Sequence, residues 1–135
     1  MHDDRLLGRC LCGAIRFETV ADPLWIAHCH CRSCRRNTGS AVATFIGYRP
    51  DQVLFESDSR QFYASSEGVS RGFCAHCGTP VSYESTRWPN EIHLYLGLMD
   101  HPERLEPTAH VHYAEKVPWL DIDDRLPTYA AVSSD

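Results

Sequence analysis

Apolar and polar positions alternate at period two in short runs along this chain, and the runs end at prolines, glycines or clusters of serine and acidic residues. Ile15, Phe17 and Thr19 alternate with Arg16 and Glu18, so 14–20 reads as a half-buried strand. Asp22-Pro23 turns the chain, and 24–29 reads as a second strand. Segments 41–48, 53–56, 61–64 and 69–73 are short and rich in β-branched or aromatic residues, with turn-forming clusters between them. Over 91–98, Ile92, Leu94, Leu96 and Leu98 share one face while His93, Tyr95 and Gly97 share the other, the cleanest strand pattern in the chain. Regular spacing of short strands predicts a mainly β fold of antiparallel sheets. Helix is expected only as short turns, chiefly over 31–37, with Gly39 as a left-handed cap. Pro102, Pro107, Pro118 and Pro127 break the tail, which is expected to be irregular and to lay Trp119 over the sheet.

A chain of 135 residues without internal repeat or low-complexity stretch suits one domain over 1–135. The first five residues, Met1-His2-Asp3-Asp4-Arg5, carry two acids and lead into no long apolar run. No export signal and no membrane span are therefore expected, which places the protein in the cytoplasm, where thiols stay reduced. The formal charge of −5 argues against a nucleic-acid partner.

Seven cysteines change the picture. They fall as Cys10-x-Cys12-Gly13, Cys29-x-Cys31-x-x-Cys34 and Cys74-x-x-Cys77-Gly78. A tetrahedral zinc ion takes four thiolates, so the two outer pairs suffice for one closed structural site that cross-links distant parts of the chain. The cysteines of a C-x-C face opposite ways on an extended backbone, so a kink is needed before both reach one metal, and Gly13 permits it. The Cys74–Gly78 turn resembles a zinc knuckle, with Gly78 expected at positive φ and its amide turned toward sulfur.

Cys29, Cys31 and Cys34 remain for a second zinc with an open fourth position, at which an incoming thiol would be deprotonated. His28 and His30 are adjacent and either would close that site. Arg32, Arg35 and Arg36 are too few to track a nucleic-acid backbone; they suit the carboxylates of a small anionic ligand, or simply balance thiolate charge. His76, His93, His110 and His112 are acid/base candidates only if a pocket gathers them; packing or surface is the default for each.

The motifs Gly8-x-Cys10-x-Cys12-Gly13-x-Ile15-x-Phe17, Cys29-His30-Cys31-x-x-Cys34-Arg35-x-x-x-Gly39 and Phe73-Cys74-x-x-Cys77-Gly78-Thr79-Pro80 resemble the glutathione-dependent formaldehyde-activating enzyme (GFA, or centromere protein V domain) family. Pro118-Trp119-Leu120-x-Ile122-x-Asp124-x-Leu126-Pro127 resembles that family's closing segment. The resemblance implies an Mss4-like fold around a structural zinc on Cys10, Cys12, Cys74 and Cys77, and a second zinc on Cys29, Cys31 and Cys34. It further implies a carbon–sulfur lyase whose partners are a small thiol, glutathione, and an aldehyde, formaldehyde. The rival expectations are a non-catalytic zinc module, its second site closed by His30, and a thiol-redox protein using Cys31 and Cys34.

Overall fold

A computed structural model describes residues 5–132. Residues 1–4, read above as lacking an export signal, and 133–135 lie outside the described residues. Ten strands appear in chain order: β1 (Leu6–Arg9), β2 (Arg16–Thr19), β3 (Trp25–Cys29), β4 (Ala43–Tyr48), β5 (Val53–Ser57), β6 (Arg60–Ser66), β7 (Val69–Cys74), β8 (Pro80–Ser85), β9 (Ile92–Tyr95) and β10 (Ala109–Val111). The single α-helix among the described residues, α1 (Arg32–Thr38), follows β3. No helix among them is long and apolar enough to cross a membrane.

Strands β1, β2 and β5 make a small antiparallel sheet. The larger sheet runs β10-β3-β4-β9-β8-β7-β6. Its pairs are antiparallel except β10 with β3, which run parallel with His110 beside His28. This one parallel pair sits within the mostly antiparallel fold that was expected; β10 itself was not predicted, because three residues so far along the chain carry no period that reveals a partner.

The main core lies between the sheets, where Ile15, Ile46, Leu94, Val81 and Tyr48 are fully buried. Each such side chain contributes about 1.5–3 kcal/mol relative to exposure. A second cluster, built on Cys29, Cys34, Ala43, Phe45 and Tyr95, covers the other side of the large sheet.

The strand expected over 91–98 ends at Tyr95 and turns through a single 3-10 turn at Leu96–Leu98. Because β9 sits between β4 and β8, all four of its residues are buried. His93 and Tyr95 thus belong to the interior as much as Ile92 and Leu94 do.

The tail is irregular as expected, but Trp119 does not cover the sheet: it is 74% exposed. Residues 127–129 do the covering instead. The His110 amide donates to the Pro127 carbonyl at 2.8 Å, and the Tyr129 amide donates to the His110 carbonyl at 2.8 Å.

Candidate metal centre

The two outer cysteine pairs meet. One sulfur from each of Cys10, Cys12, Cys74 and Cys77 lies within 4.8 Å of the others. Cys10 and Cys12 sulfurs are 3.7 Å apart, and Cys12 and Cys74 sulfurs 3.8 Å. Ligands at Zn–S of about 2.3 Å define a tetrahedron whose edge is about 3.8 Å, so this donor set fits zinc without rearrangement.

The kink required of the C-x-C is present: Gly13 has φ 82° and its amide donates to the Cys10 carbonyl at 3.2 Å. Backbone amides of Ile15 and Ala14 then donate to the Cys10 and Cys12 sulfurs at 3.3 and 3.4 Å. Gly78 also has positive φ, 77°, yet its amide donates to the Cys74 carbonyl and not to sulfur. The amides that do reach the Cys74 sulfur belong to His76 and Cys77, at 3.4 and 3.5 Å. The Thr79 hydroxyl, 3.1 Å from the Cys77 sulfur, holds that thiol down at about 5.

The central three sulfurs also converge, and among the described residues no fourth histidine, cysteine or acid joins them within the same reach. Cys29 and Cys34 sulfurs are 3.8 Å apart, Cys31 and Cys34 sulfurs 3.4 Å. These too are close to tetrahedral edges, so the residues fit three positions of a zinc ion. The local cause is the strand-to-helix junction: β3 delivers Cys29, Cys31 is the N-cap of α1, and Cys34 faces inward one turn later. Gly39 closes the helix at φ 70°, as expected. The Cys34 amide donates to the Cys31 sulfur at 3.3 Å. Hydrogen bonds from the Cys29 and Cys34 thiols, with that amide, hold the Cys31 thiol far below its usual range.

The histidines flanking Cys29 are engaged elsewhere. His30 Nε2 lies 2.9 Å from His110 Nδ1, and His28 Nδ1 lies 2.8 Å from the Thr44 hydroxyl. Burial keeps both neutral, His30 falling to about 4.

The three sulfurs open onto a cavity of about 570 Å³, within the usual size of small-molecule sites. Arg32, Arg35 and Arg36 do not line it; the arginine that does is Arg71. Arg71 is 6% exposed, its Nη1 lies 3.7 Å from the Cys34 sulfur, its Nε donates to Ser65 at 3.0 Å, and its guanidinium covers the Tyr83 ring. A charged residue at the centre of a strand pattern, between Val69 and Phe73, was the available signal for it.

Next to Tyr83, whose ring stacks on His93 with centroids 5.3 Å apart, the cavity lining holds a small network. Glu91 Oε1 accepts from Trp25 Nε1 at 2.9 Å and lies 2.9 Å from His93 Nε2. Burial holds His93 neutral by lowering its pKa. The Trp25 indole lies on Gly47, where any Cβ would collide with the ring. His76 and His112 take no part in this network; His112 borders the cavity beside Cys31 and Ser33, and His76 lies in the outer knuckle.

A family model described as glutathione-dependent formaldehyde-activating enzyme matches residues 5–115, spanning both cysteine clusters and the cavity lining except Tyr129 and Val132. The chain belongs to that family. A Halomonas elongata protein whose name assigns it, provisionally, to the glutathione-dependent formaldehyde-activating enzymes is 28% identical over 133 residues, 89% of this chain and 82% of that one. A crystal structure of a Rhodobacter sphaeroides protein shares the fold at a TM-score of 0.60 and 21% identity, covering 75% of this chain and 96% of that chain.

Proposed function

We propose that the GFA-family chain is a zinc-dependent carbon–sulfur lyase that joins glutathione, or a similar small thiol, to formaldehyde, or releases the aldehyde from that adduct. The observation that carries this reading is a three-sulfur cluster on the wall of a cavity, beside a buried cation. Zinc held by Cys29, Cys31 and Cys34 would supply Lewis-acid stabilisation of a thiolate at its fourth position. Cys10, Cys12, Cys74 and Cys77 would hold a second, structural zinc.

The chain's own groups account for the remainder. In the forward direction a glutathione thiolate attacks the formaldehyde carbon, a carbon–sulfur bond forms, and the carbonyl electron pair moves to oxygen, which then takes a proton. Arg71 places a fixed positive charge beside the Cys34 sulfur on the cavity lining, where it would support both the incoming thiolate and the developing alkoxide. Tyr83, whose hydroxyl burial keeps protonated, lines the same cavity and is the donor for that oxygen. Phe45 and Trp25 exclude water from the other walls. The carboxylates of glutathione would meet Arg32 and Arg36, exposed on the helix that lends Ser33 and Cys34 to the cavity, while Arg35 is turned half inward.

The spacing of Cys31 and Cys34 favours one rival, a redox dithiol, since both sit at a helix start and one ionises readily. The test mixes the purified chain with glutathione and formaldehyde and follows adduct formation. A rate above the spontaneous one, lost in Cys34→Ser, supports the lyase. A rate equal to the spontaneous one removes formaldehyde as substrate, and reversible Cys31–Cys34 oxidation in that protein would put the dithiol reading first.

A further inference from the structure

The large sheet has a second chemistry-bearing face. Ala27 and Cys29 of β3, with Ala109 and Val111 of β10, line the cavity. Strand periodicity therefore sends His28 and His110, which lie side by side in the parallel register, out of the opposite face. The tail brings Asp124 to them, and one ligand atom from each of the three residues lies within 4.8 Å of the others. His110 Nε2 is 2.8 and 3.1 Å from the two carboxylate oxygens of Asp124.

We propose that His28, His110 and Asp124 form a third metal site, on the far side of the sheet from the Cys29, Cys31 and Cys34 cluster, for a divalent first-row transition cation. The argument rests on these three residues and is independent of the lyase reading. Two imidazoles and one carboxylate suit zinc, cobalt or nickel better than calcium or magnesium.

The surrounding hydrogen bonds are those of ligands held in place. His28 Nδ1 is taken by the Thr44 hydroxyl at 2.8 Å, leaving Nε2 for a metal. His110 Nδ1 lies 2.9 Å from His30 Nε2, and donation from Nδ1 leaves the Nε2 lone pair of His110 facing Asp124. The Leu126 amide donates to Asp124 Oδ1 at 3.1 Å and fixes the carboxylate. The His28 and His110 rings stack with centroids 4.9 Å apart, and Tyr113 lies edge-on to His110. The Asp124 side chain is 27% exposed, so an ion has a route in and water has access to its remaining positions.

The test adds Co2+ to the full chain carrying its zinc and follows the imidazole resonances by NMR alongside visible absorption. The expected result is selective paramagnetic broadening of His28 and His110, with d–d bands lacking thiolate-to-cobalt charge transfer. Asp124→Asn keeps the size and the Leu126 hydrogen bond, and should weaken Co2+ binding at least about tenfold. Loss of binding in His110→Gln would agree, but His110 is buried and its replacement risks the fold, so the wild-type resonances and Asp124→Asn decide. Unbroadened histidines, cobalt entering only the sulfur sites, or equal affinity in Asp124→Asn would each overturn the proposal.

Discussion

The two cysteine clusters gather their sulfurs at nearly the same spacing, yet they differ in what surrounds them. Cys10, Cys12, Cys74 and Cys77 come from both ends of a 60-residue excursion, complete a tetrahedron by themselves, and are tied by amides of their own turns. Cys29, Cys31 and Cys34 come from one short segment, leave a corner unfilled, and face a cavity and a buried arginine. On the function proposed above, the number of sulfurs and the origin of the segments would separate a clasp from a reactive centre. A saturated cross-link adds to folding, while an incomplete one leaves room for a reacting ligand.

The largest expected effect divides the clusters. Cys74→Ser should abolish soluble, folded protein or lower the melting temperature sharply, because it opens the clasp between β7 and the amino-terminal turn. Cys34→Ser should leave the far-ultraviolet circular dichroism and β-sheet core intact while activity falls at least about 100-fold. Equal damage to the fold from both would erase the distinction.

Next comes Arg71. Arg71→Gln removes the charge beside the Cys34 sulfur and should lower kcat about 10²-fold, the order seen when one preorganised electrostatic contact is lost, with metal content unchanged. A variant that instead lost metal would make Arg71 part of the sulfur scaffold. At Trp25, Gly47→Ala pushes against the indole and so disturbs the bond to Glu91; it should raise KM for the thiol several-fold and cost about 1–3 kcal/mol of stability by overpacking.

Acid separates histidine from sulfur effects. His28, His30 and His93 have pKa values lowered by burial, so they are neutral in the fold while the unfolded chain takes up protons below about 6.5. More protons on the unfolded state means that stability rises with pH there. Denaturant midpoints should therefore be flat above about pH 6.5 and fall as pH drops toward about 4. His93→Gln should flatten part of that slope without changing zinc content. The smallest effect belongs to Trp119→Ala, which should change stability by no more than about 0.5 kcal/mol since the ring is exposed.

Much of this arrangement was legible in the residues. The C-x-C, C-x-x-C and central spacings announced two sulfur sites, the period-two runs announced the strands other than β1, β8 and β10, and Gly39 marked the helix end where it lies. What escaped has physical reasons. β10 is three residues long and pairs in parallel with a strand some eighty residues earlier, which no local period encodes. Arg71 reads as the polar half of an alternation until β6 and β8 enclose it from both sides. Trp119 was expected to lie over the sheet, but it is exposed while residues 127–129 take the edge of β10. The arginines of the central motif stand near the sulfurs in sequence, yet the turn of α1 that aims Cys34 inward keeps all three off the cavity wall.

The measurement that tests the difference between the clusters most directly is zinc-edge X-ray absorption on protein carrying two zinc ions, with and without glutathione. A closed four-sulfur site beside an open three-sulfur site predicts a mean of about 3.5 sulfurs per zinc, rising to about 4 when glutathione supplies the missing thiolate. A mean that does not change on adding glutathione would contradict the account.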